Sequence, residues 1–560
     1  MSLTLSGPPE VTTTAPTSTA SGSRRAPHRD RAIDLIRFGC LFVVVILHSM
    51  MSAAVLGPDG TVIPTVALST TTGFTIASWF FQIMPLFYFI GGYASLSGWR
   101  RTQAKGGTWV DYLRSRLRRL VIPVAVLIGI AGVGLSVASE LGVPAELLAE
   151  ASARIGQPLW FLAVYVGLTS LVPVAAHFHE RAPKRTILAL AGVVVAVDGL
   201  VGITGVSALG YLNFLFVWPL IQQCGFVFAD VLRSPVRVWL NWTVMSLALV
   251  ALGALVALGV YSPNMLVNLN PPTGALVLLG VAQMCVLRLG HSWLSTLVAG
   301  GSDPTAVGHE YQGRLWDRII AWGNDYGMHV YLWHMPIVTT LIGGLGYLAN
   351  LVSGVWLGPN LSLAGFVLPE IESAWWWASR LLWLLAVMVL ASALAIAMSK
   401  VRFFSEATLE RAGRAITGVA RELTSAGVDS SGAPAGDSAG TALGAPAGDS
   451  AGTALGAPAG DSASTVGTED PVRSARGGRL QWSQRTRGIL AVGLAMAGIA
   501  IALLVGIAPL IWTLVSVSTL VASLVLVACL KTPVPGPGEV ERVAAAPQPL
   551  ACPSRSHDER

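Results

Sequence analysis

The chain has 560 residues, 53% hydrophobic and only 12% charged, with a mean hydropathy of +0.63. Soluble domains carry roughly a quarter charged residues, so a soluble globular protein is excluded and a polytopic membrane protein is indicated. The net charge of +6 is a matter of membrane topology, and no nucleic-acid-binding motif accompanies it.

Residues 1–32 form an arm rich in Ser, Thr and Pro that ends in Arg24, Arg25, Arg29 and Arg31. It reads as disordered and not as a signal peptide, because the apolar run behind it is too long and lacks a small-residue cleavage site. Scanning with a window of about twenty residues predicts a core of about ten membrane helices over 33–400. The spans fall at 33–54, 75–97, 120–138, 158–176, 186–205, 211–231, 237–260, 273–290, 326–348 and 374–399.

Alternate loops of this core are basic. Arg100, Arg101, Lys105, Arg114, Arg116, Arg118 and Arg119 lie between the second and third spans; Arg181, Lys184 and Arg185, then Arg233 and Arg237, then Arg314 and Arg318 follow on the same side. The intervening loops near 200–210 and 261–272 carry neither Lys nor Arg. By the positive-inside rule the N-terminus, the basic loops and the segment after Lys400 are cytoplasmic, and Trp375, Trp376 and Trp377 mark the outer interface.

The segment 401–488 is expected to be a cytoplasmic linker. A short amphipathic helix at about 404–425 precedes a twelve-residue unit, GAPAGDSAGTAL, at 432–443 and 444–455, with a partial third copy from Gly456. With almost no large apolar residues this repeat cannot bury enough surface to fold. Two apolar runs, 489–508 and 510–530, broken at Pro509, predict a transmembrane hairpin over 489–531, followed by a disordered tail, 532–560. The fold class is therefore an all-α polytopic membrane protein of about ten core helices plus a C-terminal transmembrane hairpin, with both termini cytoplasmic in a plasma (inner) membrane.

The first span, RAIDLIRFGCLFVVVILHSMM, holds the chemistry. Eleven steps along a helix bring Arg37 and His48 to within roughly 20° of one direction and about 16 Å apart along the axis, with Asp34 on the same face. An ionisable group within the hydrocarbon is costly and is by default a functional candidate. Cys40, Cys224, Cys285 and Cys529 lie in apolar runs and Cys552 in a polar tail, a spacing that suits neither a disulfide nor a metal. His329 and His334 are five residues apart, off one helical face, so no metal site is expected. Asp198, near the outer end of the fifth span, is a further candidate for orienting an imidazole or a substrate.

Five segments together carry a family resemblance. The Asp34, Arg37 and His48 pattern resembles the arginine, ten residues, histidine signature of the acyltransferase-3 family, integral membrane O-acyltransferases of bacterial type. WFFQIMPLFYFIGGYAS (79–95) resembles its Phe-rich second helix, YLRSRLRRLVIP (112–123) its basic motif, and PLWFL (158–162) and GNDYGMHVYLWHMPI (323–337) two later blocks. The chain departs from the pattern at Gly91 and Gly92, where many members have a serine before glycine, so no catalytic hydroxyl is assigned there.

The resemblance implies transfer of an acyl group, here expected to be acetyl, from cytoplasmic acyl-CoA to a hydroxyl of a cell-envelope glycan, glycolipid or other exported acceptor. Acyl-CoA is then a donor substrate, no cofactor is tightly bound, and the partners are the acceptor and membrane lipids, with no nucleic acid. His48 is the candidate general base, since imidazole titrates near neutrality, and Arg37 its partner in catalysis, with Asp34 structural or orienting. Arg116 and Arg119 are assigned to donor phosphate, while Tyr331 and His334 are assigned to substrate binding. Direct and covalent transfer both stay open. The rival readings are a proton-coupled transporter of a lipid-linked or acylated molecule, and a silent scaffold.

Overall fold

The computed structural model describes residues 30–401 apart from positions 233, 236, 300–308 and 359–360, then positions 408, 409, 411, 412 and 415, and residues 484–530. The N-terminal arm, most of the expected amphipathic helix at 404–425, the repeats and the C-terminal tail lie outside the described residues. Among the described residues, 11 helices are long and apolar enough to cross a membrane, or 12 if one bent pair counts as a span.

Helix α1 (Arg31–Met51) is capped by Asp30, whose side chain accepts from the Ile33 amide. Asp30 also receives a hydrogen bond from His291, at 2.8 Å, and Arg31 pairs with Asp317. These contacts tie the start of α1 to two later helices. At its other end the helix stops at Ser52, and the expected loop is a β-hairpin, β1 (Ser52–Leu56) against β2 (Val62–Val66). Asp59 and Gly60 make its turn; Gly60 has φ +80°, and the Asp59 carboxylate accepts from both the amide and the hydroxyl of Thr61.

The second span is two helices, α2 (Thr72–Phe81) and α3 (Met84–Ala104), with Pro85 just inside the start of α3, where its missing N–H costs nothing. Helix α4 (Trp109–Glu140) opens on a capping box formed by Thr108 and Asp111. Its 32 residues reach about 48 Å, more than the roughly 30 Å of hydrocarbon, so its arginine-rich first turns project beyond an apolar slab. Helices α5 (Ala145–Gly156) and α6 (Leu159–Ser170) run on to α7 (Val172–Arg181) through a bend of 56°. The span expected at 158–176 is therefore broken, at Leu171, next to Pro173.

Then follow α8 (Pro183–Thr204), a 3-10 helix (Ser207–Leu215), α9 (Val217–Val231), α10 (Val238–Ala257) and α11 (Gly274–Ala299). Helix α12 (His309–Leu351) is the longest, with 43 residues. A short β3 (Trp356–Gly358), β4 (Leu361–Ser362) and α13 (Leu363–Val367) lead to α14 (Ala374–Lys400). Of the three tryptophans expected at an interface, Trp375 and Trp377 are exposed but Trp376 is turned into the bundle.

Close helix contacts replace a hydrophobic driving force in the bilayer, so small residues mark them. Gly92 of α3 and Gly225 of α9 are such a pair: a Cβ on either would overlap the opposing backbone, at the Gln222 and Phe89 carbonyls respectively. This contact explains why the Gly91–Gly92 step has no room for a larger side chain at Gly92.

The C-terminal hairpin, α15 (Gln484–Leu504) and α16 (Leu510–Ala528), packs along α4 and α6. Ser516 and Ser523 donate to the Gly498 and Ala491 carbonyls and stitch its two arms together. The Ile507 amide donates to Ser152 of α5 at 2.7 Å, while Thr513 fills the space left by Gly132 of α4. At the opposite end Arg114 donates to the Leu530 carbonyl.

Candidate active site

One stripe of α1, made of Phe38, Leu41, Val45 and His48, follows helical spacing. The stripe of α12 that carries Gly323, Gly327, Tyr331 and His334 meets it. A Cβ at Gly323 would lie 2.6 Å from the Phe38 ring, and one at Gly327 would lie 3.4 Å from Leu41. Glycine at 323 leaves room for the Phe38 ring against α12, and the same two stripes meet again at the imidazoles further along.

His48 Nδ1 and His334 Nε2 lie 2.8 Å apart, with the rings only 4° from parallel. His334 Nδ1 in turn bonds the Tyr331 carbonyl one turn back. A carbonyl can only accept, so His334 Nδ1 carries the hydrogen and, in the neutral ring, Nε2 is a lone pair. That lone pair takes the Nδ1 hydrogen of His48, and His48 Nε2 is left unprotonated. His334 is fully buried, whereas His48 is half-buried, and its Nε2 has no hydrogen-bond partner among the described residues. The arrangement therefore presents one imidazole lone pair, held at a fixed orientation.

His48 stands in the last turn of α1. The sequence-based span, 33–54, put it nearer the middle; the helix ends earlier because Ser52 begins a paired strand. Likewise Tyr331 and His334, expected within two turns of a helix start, are deep inside α12, which begins at His309. The Tyr331 hydroxyl donates to the Pro158 carbonyl at 2.9 Å, and its ring is buried against Phe161, so it fastens the PLWFL segment to α12.

The other end of α1 opens on a cleft. Arg37 and Asp34 line it with Arg116 and Arg119 from α4 and Asn324 from α12, over a floor that includes Leu41, Phe87 and Tyr165. Arg116 is seated by α3: a Cβ at Gly98 would overlap its guanidinium, which also lies 5.3 Å from the Tyr112 ring centre. The cleft brings three arginines and one carboxylate together, and the planar guanidinium forks suit phosphate oxygens. Between cleft and histidines runs an aromatic wall, with Phe87 4.8 Å from Phe161 and Phe161 5.4 Å from Tyr331, ring centre to ring centre.

The structure thus gathers Asp34, Arg37, Arg116 and Arg119 at one end and His48 with His334 at the other. Asp198 belongs to neither group. Its carboxylate accepts from Asn213, the Tyr261 hydroxyl and the Gly274 amide at 2.7 to 2.8 Å, and so pins the 258–273 loop to α8. Sequence reading missed Asn324, Tyr165 and the pairing of His334 with His48. The glycines at 323 and 327, in step with Tyr331 and His334, were the available signal for that last contact.

Fold and site together define an all-α polytopic membrane protein that holds a histidine pair near one end of the bundle and an arginine cleft near the other. The chain belongs to the acyltransferase-3 family: the family profile, described as an acyltransferase domain, matches residues 30–400. Neither the comparison with curated proteins nor that with solved structures returned a match. The protein is accordingly a membrane acyltransferase, and the hairpin α15–α16 lies outside the matched region.

Proposed function

We propose that the protein transfers an acetyl group from cytoplasmic acetyl-CoA to a hydroxyl of an exported glycan or glycolipid, with His48 as general base. The observation that carries this reading is the hydrogen-bond chain from the Tyr331 carbonyl through His334 to His48, which leaves His48 Nε2 free to accept a proton. The basic loops orient the arginine cleft toward the cytoplasm, so donor phosphates meet Arg37, Arg116 and Arg119 while the pantetheine arm follows the aromatic wall toward His48.

The acceptor hydroxyl then attacks the thioester carbonyl carbon as His48 Nε2 takes its proton. The new ester C–O bond forms, the C–S bond breaks, and the proton passes from the imidazolium to the departing thiolate. His334 steadies the imidazolium through the same hydrogen bond, and general base assistance of this kind contributes about 10²- to 10⁴-fold. Arg37 anchors the donor on the helix that carries the base, and Asp34 holds that arginine's end of the cleft in register.

Membranes containing wild-type protein, His48→Ala or Arg37→Ala, supplied with labelled acetyl-CoA and analysed by mass spectrometry of glycans and lipids, test the reading. A mass gain that disappears with correctly inserted His48→Ala supports it and identifies the acceptor. Product unchanged by that substitution removes His48 as the base, and donor left unconsumed while a solute moves across the membrane returns the transporter reading.

A further inference from the structure

At the histidine end of the bundle, the segments 52–71, 141–157, 205–216, 258–273, 352–380 and 505–509 contain just two cations, Arg154 and Arg380. Arg154 is paired with Glu150, 2.6 Å away on the same helix. Arg380 has no carboxylate partner among the described residues. Its Nε donates to the Trp376 carbonyl at 3.1 Å and one Nη to the Ser379 hydroxyl at 3.4 Å, and neither acceptor carries charge. The other Nη has no protein acceptor among the described residues.

Arg380 lies on the protein-facing stripe of its helix and not on the lipid-facing side. Trp376, Arg380, Trp383 and Val387 follow helical spacing along one stripe of α14, and the three apolar members are buried. The lipid-facing side of the same helix is Leu381, Leu382 and Leu385, all more than half exposed. An arginine on the protein-facing stripe of a membrane helix is costly without a purpose. Its guanidinium carbon lies 4.4 Å from the Trp376 ring centre and 5.6 Å from that of Trp383, contacts that hold the plane in place without neutralising it.

Trp383 links this arginine to the histidines. Its indole N–H donates to the Ser49 carbonyl at 2.9 Å, and Ser49 adjoins His48. Arg380 precedes Trp383 by three residues, about 4.5 Å along the axis, in the direction away from the arginine cleft. It sits just beyond His48 on the side opposite the donor.

We propose that Arg380 is the receptor for an oxyanion, a phosphate or a carboxylate, carried by the acyl acceptor. The proposal rests on the acyl-transfer reading for the identity of the ligand as acceptor, but the site itself is argued from the contacts of Arg380. A rigidly held guanidinium with donors to spare takes two oxygens of one oxyanion at once, which fixes distance and direction together. The bound anion would thereby set the acceptor hydroxyl in reach of His48 Nε2.

The test uses purified full-length protein in phosphatidylcholine nanodiscs, with no acyl donor, titrated with dodecyl phosphate, glucuronic acid or inorganic phosphate and read by native mass spectrometry. Saturable binding of dodecyl phosphate supports the site and assigns it to a lipid-borne anion; saturable binding of glucuronic acid supports it as a site for an acidic sugar. In either case Arg380→Gln is expected to weaken binding by about tenfold or more, the scale of a lost charge-assisted hydrogen bond. Arg380→Lys, which keeps the charge and loses the fork, should fall between the two and decides the matter if the glutamine variant does not assemble. Equal affinity in wild type and Arg380→Lys or Arg380→Gln, no binding to wild type, or binding of inorganic phosphate alone would overturn the proposal. Because no donor is present, a protein that binds the probe but transfers no acetyl group keeps this site and loses the acyl-transfer reading.

Discussion

His48 donates from Nδ1 to His334 Nε2 across 2.8 Å, and the two residues stand 286 positions apart in the chain. On the acyl-transfer reading proposed above, the second histidine sets which nitrogen of the first accepts the proton. His334→Leu removes the acceptor and lets His48 take either tautomer, so kcat should fall about 5- to 150-fold, the scale of one unsatisfied buried donor. His334→Gln keeps a carbonyl acceptor and should lose less. Initial rates at saturating acetyl-CoA separate the two variants; equal losses in both would place the effect in packing.

The arginine cleft yields a binding defect of a different kind. Arg116→Gln or Arg119→Gln should raise KM for acetyl-CoA about 10- to 150-fold with little change in kcat, as expected for lost charged hydrogen bonds to a group far from the reacting carbon. The double variant should lose less than the product of the single effects, because both side chains share one anion. A fall in kcat alone would remove these residues from the donor site.

Gly323 lies closely against the Phe38 side chain of α1. Gly323→Val would meet the Phe38 ring at 2.6 Å, and overpacking of this sort costs about 1–3 kcal/mol. It should also part the two imidazoles and reduce activity more than tenfold, roughly the loss of one such bond. Phe38→Ala in the same chain should restore both thermal stability and turnover in part. No rescue would mean that the glycine serves something other than close approach.

Asp30 couples the cap of α1 to pH. Burial opposes its ionisation, but hydrogen bonds from His291 and the Ile33 amide outweigh burial and hold its carboxyl below the ordinary 3.8. A depressed carboxylate contributes stability above its unfolded value and loses it as pH falls through the folded value. Thermal unfolding of wild type should therefore weaken as pH is lowered through the region below about 4. Asp30→Asn keeps a capping oxygen and should show a flatter profile there; an unchanged profile would assign the acid sensitivity elsewhere.

How much of this was legible in the sequence follows from the range of each interaction. Arg37 and His48 share one helix, so helical geometry alone put them on one face, and loop charge set out the alternation of the spans. Partner choice between helices depends on axial offset, which no local pattern encodes; His334 was therefore read as a substrate contact and not as the residue that orients His48. The break at Leu171 was masked because 158–176 contains no charged residue, although Pro173 stood there as a signal. The Asp59–Gly60 turn pair between SAAVL and VIPTV was the hairpin signal, which the neighbouring apolar helix obscured. Arg380 has no local signature in the sequence: the positive-inside rule marks where cations gather, and only the three-dimensional contacts separate Arg380 from Arg154, which pairs with Glu150.

Ser152 finds its partner, the Ile507 amide, 355 residues further along the chain, and the notch at Gly132 is filled by Thr513. During synthesis the flank of α4 must therefore wait in contact with lipid, with a notch and a hydroxyl exposed, until the hairpin emerges. At roughly 5–20 residues per second, that interval is on the order of tens of seconds. The surroundings of the arginine-bearing helix are thus completed in two instalments, and a chain interrupted between α14 and α15 would leave a membrane protein with its core spans inserted but one seam still open to lipid or to a stray helix.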